Sequence, residues 1–424
     1  MTAGFDAAEA WATEEDRRDR LAWAREEFAL PRDEHGAPLA YMSGNSLGLM
    51  PKVVPELMGA ELDDWARLGV EGHFDARTPW YSYHEAVREP LARLVGARPD
   101  EVVAMNGLTV NLHLMMVSFY RPAGARRLIL IEDSAFPSDR YAVATHLRAR
   151  GQDPRDCLLI ARPREGETTL RTEDLESLLA RRGEEIALVL LSGVQYYTGQ
   201  QFAMERITAS AQRAGCLVGL DLAHAIGNVE LELHRWGVDF AVWCSYKYLN
   251  AGPGAVAGCF VHQRHGENPD LPRFAGWWGN DPATRFRMHL NEEFVPRAGA
   301  DGWQLSNPPI FAMTPLRASL ALFDRAGMPA LREKAIRLTG YLEFLVDQRA
   351  TGLELLTPRD PAQRGCQLSY RVQGGGTATL EAVRSRGVVA DLRQPDVIRL
   401  APVPLYSTFA DVRRAASALL EACA

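Results

Sequence analysis

The sequence predicts an α/β protein in which helices cover both faces of a mostly parallel sheet, followed by a smaller α+β domain. Short apolar runs alternate with amphipathic segments between residues 51 and 310. Strands that are buried on both faces are continuous apolar runs, and intervening helices return the chain so that the next strand runs parallel. This alternation ends after Asn307, Pro308 and Pro309, and the length of 424 residues favours two or three domains.

Each element follows from its local pattern. The first 40 residues are predicted to be helical, and residues 43–48 form a glycine-rich turn. Strands are predicted at residues 128–132, 157–161, 186–191, 216–222, 240–246 and 257–262, with helices at residues 110–120, 139–148, 172–182 and 203–214. The remainder is predicted to contain a helix at residues 314–349 with a break near Gly327, a strand at residues 367–372 and helices at residues 379–386 and from residue 409. We therefore expect an N-terminal helical segment (1–50), a large domain (51–312) and a small domain (313–424).

The composition excludes several classes of protein. The formal charge of −7 gives no reason to expect binding to nucleic acid or to an anionic membrane. The acidic, mixed N-terminal residues do not fit the pattern of a signal peptide, and we expect no membrane span, because no apolar run reaches about 18 residues. The six cysteines form no CxxC pair, which favours buried thiols over a metal site or a disulfide framework. We expect a cytoplasmic protein without a bound metal.

Lysine is scarce in this chain, which has 44 arginines and only three lysines. Lys52 and Lys334 are predicted to face solvent, from a loop and from an amphipathic helix. Lys247 instead ends the apolar run of residues 240–246, where desolvation would make its amine a nucleophile able to form a Schiff base. The alternative is a lysine at the mouth of a strand that reaches water.

Asp221 and two neighbouring segments turn this lysine into a candidate cofactor site. Asp221 ends a predicted central strand, at the sheet edge where α/β proteins bind ligands. Pyridoxal phosphate requires a lysine, a carboxylate for its pyridine nitrogen and a phosphate cradle, which the helix start after residues 105–109 could supply. Phe136 follows another strand and could cover the ring. Taken singly, Asp221 could equally be a helix cap and Phe136 a core residue.

Eight segments of the chain, in order, resemble the kynureninases, which are pyridoxal-phosphate enzymes of the aspartate aminotransferase fold class (fold type I). The matching segments are residues 108–113, 136–139, 192–200, 221–225, 243–252, 276–277, 306–309 and 398–406. The resemblance implies a hydrolase that cleaves the Cβ–Cγ bond of a kynurenine and releases an aryl carboxylate and L-alanine. Other amino-acid enzymes of this fold are alternatives, among them an aminotransferase or a cysteine desulfurase using Cys366. A non-catalytic homologue is a further alternative.

The resemblance also implies roles for individual residues. Lys247 would bind the cofactor aldehyde and act as the base, Asp221 would pair with the pyridine nitrogen, and Tyr246 is the nearest candidate for proton delivery. The other residues implied at the cofactor are Leu108, Thr109, Phe136, Asp139, Ser192, His224, Trp277 and Asn307. Trp277 would reach the cofactor of a neighbouring subunit, which implies a homodimer with shared active sites.

Substrate recognition is implied at four positions. Arg399 would hold the α-carboxylate through its guanidinium fork, unless it is an edge-strand arginine in water. His73, Ser306 and Asn307 match the kynureninases that prefer the 3-hydroxy substrate, where kynurenine-preferring forms carry Trp and a Gly-Thr pair. We therefore expect 3-hydroxykynurenine, or another ring-substituted kynurenine, to be cleaved to 3-hydroxyanthranilate or its analogue. Plain kynurenine is the alternative substrate, His73 could be a loop residue without a ligand, and the role of Trp278 is open. Either tryptophan catabolism or secondary metabolism could use such an enzyme.

Overall fold

The computed structural model describes residues 4–290, 293–349 and 352–423. Helices account for much of this part of the chain. The α-helices are Glu9–Arg18, Ala22–Glu26, Val54–Leu68, Gly72–Asp75, Arg88–Val95, Leu108–Phe119, Pro137–Ala149, Pro154–Cys157, Thr172–Arg182, Met204–Arg213, Leu233–Trp236, Gln263–Gly266, Ile310–Ala326, Met328–Asp347, Gly376–Ser385 and Phe409–Ala422.

A seven-stranded sheet forms the centre of the larger part of the molecule. Its strands, in chain order, are β1 (Val102–Ala104), β2 (Leu128–Glu132), β3 (Leu158–Ala161), β4 (Ile186–Ser192), β5 (Leu217–Asp221), β6 (Phe240–Trp243) and β7 (Gly258–Val261). They lie in the order β1-β7-β6-β5-β4-β2-β3; β7 runs antiparallel to both of its neighbours, β1 and β6, and the other neighbouring pairs are parallel. The predicted α/β fold with a mostly parallel sheet is confirmed.

The agreement between predicted and observed elements is uneven along the chain. β2 and the helix Thr172–Arg182 have the predicted bounds, and the long C-terminal helix breaks at Gly327 as expected. β1 was not predicted, because three apolar residues are too short a run to stand out. The prediction of helix over the first 40 residues is wrong beyond residue 26, where prolines and a glycine interrupt the chain.

The parallel strands direct their carboxyl ends to one edge of the sheet. Ser192 and Asp221 are paired neighbours at the ends of β4 and β5, and Glu132 ends β2 beside them. The strands themselves are almost fully buried, so the polar groups at their ends are held on a rigid base. This edge is where a binding site is expected in such a sheet.

A second, antiparallel sheet lies in the C-terminal part. It has the order β8 (Leu353–Leu355), β9 (Leu368–Val372), β11 (Val397–Leu400) and β10 (Asp391–Arg393). Its hydrophobic core also takes in residues from the N-terminal segment, including Ala12, Ala40 and Met42. The two-residue strand Ala40–Tyr41 pairs in parallel with Val388–Val389. The domain boundaries at residues 50 and 312 stay a prediction.

The prediction that Lys334 faces solvent is wrong. Lys52 is exposed as predicted, but Lys334 is buried on the helix Met328–Asp347, with its Nζ 2.7 Å from the Asp19 carboxylate. Burial lowers the pKa of the Lys334 amine, and the Asp19 charge opposes this shift. The amphipathic pattern of this helix predicts that the side carrying Lys334 faces water, but other parts of the chain cover that side.

None of the helices in the described parts of the chain combines the length and the apolar content needed to cross a bilayer.

Candidate active site

A cavity opens at the carboxyl edge of the central sheet. Its walls come from the segments that follow β2, β4, β5 and β6, together with the start of the helix Leu108–Phe119. The residues that line it are Leu108, Thr109, Phe136, Ser138, Asp139, Ser192, Val194, Tyr196, Asp221, Ala223, His224, Tyr246 and Lys247. The structure thus brings together nine of the residues that the sequence singled out for the cofactor.

Lys247 presents its amine to this cavity. Its Nζ lies 5.7 Å from the centroid of the Phe136 ring and 5.9 Å from that of Tyr246. Among the described residues, no carboxylate comes within 4.0 Å of this Nζ, unlike that of Lys334. The amine is held on a rigid segment after β6 and remains available to a ligand, as a Schiff-base lysine must be.

Three neighbouring carboxyl groups, those of Glu132, Asp139 and Asp221, lie at the base of the cavity, with little positive charge near them. Burial, followed by the nearby Asp221 charge, raises the pKa of Asp139 well above its usual range. Burial likewise raises the pKa of Glu132 to about 7, against the hydrogen bonds from Ser192. The Asp221 carboxylate accepts a hydrogen bond of 2.7 Å from the Ala223 amide. Burial thus favours the protonated form of Asp139, and that of Glu132 below about pH 7.

Two helix starts form an anion-binding corner of the cavity. Leu108–Phe119 and Pro137–Ala149 both begin at its wall, and the hydroxyls of Thr109 and Ser138 lie 3.1 Å apart. The backbone amides of a helix N-terminus and its dipole favour a phosphate. The residues just before these starts include Asn106 and Ser134, which adopt left-handed backbone conformations with φ of 50° and 55°. Such strained conformations occur where a site requires them.

Aromatic side chains define the walls above Asp221. The Phe136 ring is 41% exposed and contacts the Tyr196 ring edge-on, with 5.2 Å between centroids. His224 is buried, and its Nδ1 has no hydrogen-bond partner among the described residues. Burial and the nearby Lys247 charge lower the pKa of His224, so that its ring is neutral. A flat ligand bound between the Phe136 and His224 rings would cover the exposed face of the Phe136 ring.

These groups fit pyridoxal phosphate. The cavity contains an amine free for an aldehyde, a carboxylate for a pyridinium nitrogen and two helix starts with hydroxyls for a phosphate. The buried Asp139 Oδ1 and His224 Nδ1 lack partners in the described chain, which is costly unless a ligand supplies them.

The glycine-rich turn of residues 43–48 packs against the chain segment that carries Lys247. The Gly48 amide donates a 2.8 Å hydrogen bond to the Tyr246 carbonyl. A Cβ on Gly48 would lie 2.3 Å from the Lys247 carbonyl oxygen and from Asn250 Oδ1, closer than any real contact allows. The sequence showed this turn but not its role, because only the fold brings it against the segment that carries Lys247.

The predicted substrate residues are not in this cavity within one chain. His73 and Asn307 line a separate cavity, with Trp65, Trp80, Trp278, Pro308, Pro309, Ile310 and Phe311. The two cavities share no lining residue. Ser306 is exposed next to Asn307, and Trp277 lies against Trp278 at 4.8 Å between ring centroids. Both lie outside the lining of the Lys247 cavity.

Arg399 lies on β11, between two neighbouring strands, and is fully buried. Its Nε and Nη2 each donate a 2.7 Å hydrogen bond to the Asp391 carboxylate, and its Nη1 donates a 2.7 Å bond to the Tyr196 carbonyl. The alternative of an edge-strand arginine in water is therefore wrong. One side of the guanidinium is already occupied by Asp391, so a substrate carboxylate would have to use the remaining Nη1 and Nη2 protons.

Sequence reasoning missed several residues around the cavity. Ser138, Val194, Tyr196 and Ala223 line it, and Glu132 binds Ser192 from below. Glu132 had a recognisable signal, since it is an acidic residue that ends an apolar strand, as Asp221 does. Tyr196 had none, because the irregular chain after β4 places it.

A separate cluster of possible metal ligands lies away from this cavity. Glu101, His234 and His262 approach one another closely enough to hold an ion. However, the buried Glu101 carboxylate already accepts hydrogen bonds from the Arg98 and Gln263 amides at 2.9 and 2.8 Å and from His234 at 2.9 Å. These bonds account for the cluster as a structural network between chain segments.

Cys366 does not suit a desulfurase nucleophile. Its side chain is fully buried, and burial raises the pKa of its thiol to about 12. A reactive cysteine needs a low pKa and access to its substrate. The geometry therefore disfavours the alternative of a cysteine desulfurase.

Solved structures with a similar fold exist at low sequence identity. A C-DES mutant with glycine covalently linked to its PLP cofactor superposes with a TM-score of 0.77 and 19% identity, over 92% of this chain and all of that one. The cysteine desulfurase CsdA of Escherichia coli gives a TM-score of 0.74 at 16% identity, over 95% of this chain and 98% of that one. Both carry the fold type I architecture that the sequence predicted.

Sequence similarity is much higher to another group of enzymes. The kynureninase of Myxococcus xanthus is 56% identical over 97% of this chain and 96% of its own length, and that of Salinispora tropica is 58% identical over 90% and 89%. Residues 331–419 match the family model of the kynureninase C-terminal domain. The chain therefore belongs to the kynureninase family and is a pyridoxal-phosphate enzyme that cleaves a carbon–carbon bond.

Proposed function

We propose that this kynureninase prefers 3-hydroxykynurenine, or a similarly ring-substituted kynurenine, over plain kynurenine. The observation that carries the proposal is the presence of two polar side chains, His73 and Asn307, in a cavity whose other lining residues are tryptophans, prolines, Ile310 and Phe311. His73 Nδ1 lies 2.9 Å from the Val70 carbonyl, which leaves Nε2 for a ligand. A polar group in an apolar aromatic pocket favours a substrate that hydrogen-bonds to it and penalises one that does not.

The active site is completed by a second copy of the chain in this proposal. His73 and Asn307 lie outside the lining of the Lys247 cavity, and the residues that line the His73 cavity include no lysine. Large apolar side chains are exposed around the His73 cavity, at Trp65, Val70, Phe74 and Phe286. An apolar patch of this kind on a folded chain favours a protein interface. A homodimer that joins the two cavities across this face would use both sets of residues, with Trp277 and Ser306 reaching across it.

The residues of the Lys247 cavity have distinct roles in the reaction. Bound pyridoxal phosphate supplies an electron sink for the substrate's Cα and Cβ carbanions. Asp221 would hold the pyridine nitrogen protonated, and Phe136 and His224 would contact the ring. The Thr109 and Ser138 hydroxyls would hold the phosphate together with the helix amides. Leu108, Ser192 and the neutral Asp139 complete the cofactor contacts.

Proton transfer falls to Lys247 and Tyr246. The free Lys247 amine would remove the Cα proton of the substrate. Burial raises the pKa of Tyr246, so its hydroxyl keeps its proton and can donate it where negative charge develops. Arg399 orients the substrate through its α-carboxylate. Water attack on the γ-carbonyl then breaks the Cβ–Cγ bond and releases L-alanine and the aryl carboxylate.

A side-by-side assay tests the substrate preference. We expect kcat/KM for 3-hydroxykynurenine to exceed that for kynurenine about tenfold or more, since an unpaired buried polar group costs about 1–3 kcal/mol. His73→Phe should reduce this ratio and leave the kinetics with kynurenine little changed. A wild-type ratio at or below one would contradict the proposal.

Mixing an inactive variant with an impaired one tests the shared site. Lys247→Ala removes the amine from one cavity, and Asn307→Ala removes a ring contact from the other. If the sites are shared, a hybrid dimer contains one site with both residues intact, and re-associated mixtures should regain part of the wild-type activity. Re-association of each variant with itself is the control, and a mixture no more active than these controls would exclude sharing.

Spectroscopy tests the cofactor and proton roles separately. The purified enzyme should absorb between about 330 and 430 nm through its bound cofactor. Borohydride should bleach this band in the wild type and fix the label on Lys247. Tyr246→Phe should keep the band and lose turnover; unchanged turnover and pH profile in this variant would remove Tyr246 from the mechanism.

A further inference from the structure

A second arginine lies beside Arg399, and it is only partly neutralised. Arg393, on β10, approaches the Asp391 carboxylate through its Nη2 at 3.3 Å, whereas Arg399 holds the same carboxylate through two bonds of 2.7 Å. The Arg393 Nε is buried and has no hydrogen-bond partner in the described chain. Asp391 is the one carboxylate of the described residues that lies within 4.0 Å of either guanidinium.

The charges at this place do not cancel. Two guanidinium groups share the single negative charge of Asp391, which leaves one positive charge in excess; the Arg399 side chain is fully buried, and that of Arg393 is 36% exposed. Burying a charge without a counter-ion is costly, and an arrangement of this kind is stabilised when an anion binds. Burial and the Arg399 charge lower the pKa of Arg393, which reflects the same shortage of negative charge.

Tyr196 connects the two arginines to the cofactor cavity, because it contacts both of them and also lines the cavity. The Arg393 guanidinium carbon lies 5.8 Å from the centroid of the Tyr196 ring, and the Tyr196 carbonyl accepts the bond from Arg399 Nη1. Tyr196 lines the Lys247 cavity and contacts Phe136 there. The positive field of both arginines also reaches His224 on the cavity wall.

We propose that Asp391 and Arg393 are positioning residues for substrate carboxylate recognition. Asp391 fixes the Arg399 guanidinium so that its free Nη edge is the one presented to the ligand. Arg393 supplies the positive charge that Asp391 would otherwise cancel, so that the three groups carry a net charge of +1 toward the α-carboxylate. This inference rests on the proposed carboxylate role of Arg399 and extends it to two residues with no direct place in the cavity lining.

Binding of L-alanine and of L-alaninamide to the holoenzyme tests the proposal. Both ligands carry the amine, but only L-alanine carries the carboxylate, and the absorption of the bound cofactor reports both dissociation constants. We expect the wild type to prefer L-alanine. Arg393→Gln should reduce that preference about tenfold, since the loss of a nearby unit charge changes the Coulomb energy of an anionic ligand by about 1–2 kcal/mol at an effective dielectric constant near 20. Binding of the amide should stay the same.

Two further variants separate charge from packing. Arg393→Lys keeps the charge and should retain most of the preference for L-alanine. Arg371→Gln is the matched control, because Arg371 is as exposed as Arg393, lies in the same small sheet and pairs with Glu354 instead. It should leave the preference unchanged, and equal melting temperatures would show that all variants are folded.

The outcomes are decisive in both directions. A loss in Arg393→Gln that Arg393→Lys restores supports the proposal. An unchanged preference in Arg393→Gln, or an equal loss in both Arg393 variants, overturns it, as does a wild type that binds both ligands alike. If the Arg393 variants behave as expected but the wild type shows no preference for 3-hydroxykynurenine over kynurenine, the proposed substrate preference fails and this inference stands.

Discussion

The Glu132 carboxyl beneath the cavity should make the protein less stable as the pH rises. In the unfolded chain its pKa is 4.5, and in the folded protein burial raises the pKa to about 7. The folded state therefore holds the proton more tightly than the unfolded state. The stabilisation from the neutral carboxyl is fully present below pH 4.5, is lost as the pH rises toward 7, and is gone above it.

The size of the effect follows from these two pKa values. Relative to a side chain that is always neutral, ionisation of Glu132 costs about 1 kcal/mol of stability at pH 5.5 and about 3 kcal/mol at pH 8.5. Glu132→Gln has nearly the same shape and cannot ionise. Its advantage over the wild type should therefore grow by about 2 kcal/mol between these two pH values. Any pH-independent cost of the amide group cancels in this difference.

Urea denaturation at pH 5.5 and 8.5, with saturating pyridoxal phosphate, measures the difference. Glu185→Gln serves as the control, because Glu185 lies at the surface and hydrogen bonds from Arg182 lower its pKa instead. It should show no gain with pH. If Glu132→Gln is equally stabilising or destabilising at both pH values, the Glu132 carboxyl does not ionise in this window and the reasoning is refuted.

Two other changes test the support of the fold and of the lysine. Asp19→Ala should lower the free energy of unfolding by about 3–5 kcal/mol, because it leaves the buried Lys334 ammonium unpaired, and adding Lys334→Met should restore most of this loss. Gly48→Ala should cost about 1–3 kcal/mol in chemical denaturation and weaken cofactor absorption, because its methyl group displaces the Lys247 segment. Gly59→Ala, on an exposed helix face, should stabilise the protein by about 1 kcal/mol.

The sequence could predict those parts of the site that stand directly on strands. Glu132, Ser192 and Asp221 each end a strand of continuous apolar residues, so their common edge follows from the pattern of burial. Lys247 was recognisable for the same reason, since a lysine at the end of such a run is rare. The fold class and the cofactor both follow from these few positions.

The remaining parts depend on contacts between distant segments, which no local pattern encodes. The sequence around Lys334 fits an amphipathic helix with one solvent-exposed face. The N-terminal segment covers that face, however, and supplies Asp19 as the partner of Lys334. Tyr196 lies in irregular chain after β4, and its position is set by Arg399 more than two hundred residues later. The pairing of Arg399 with Asp391 needs the register of a small antiparallel sheet, which sequence reasoning did not supply.

The three lysines show why arginine does not replace them all in a chain so rich in it. Lys52 is exposed, and its side chain sets no evident constraint. Lys334 meets a single carboxylate in a buried site, which suits a compact ammonium better than a five-donor guanidinium that would leave protons unpaired. Lys247 must lose a proton to bind an aldehyde, and a guanidinium, which stays protonated, cannot do so. Conversely, Arg399 can hold Asp391, the Tyr196 carbonyl and a ligand at once, which a single ammonium on that strand could not.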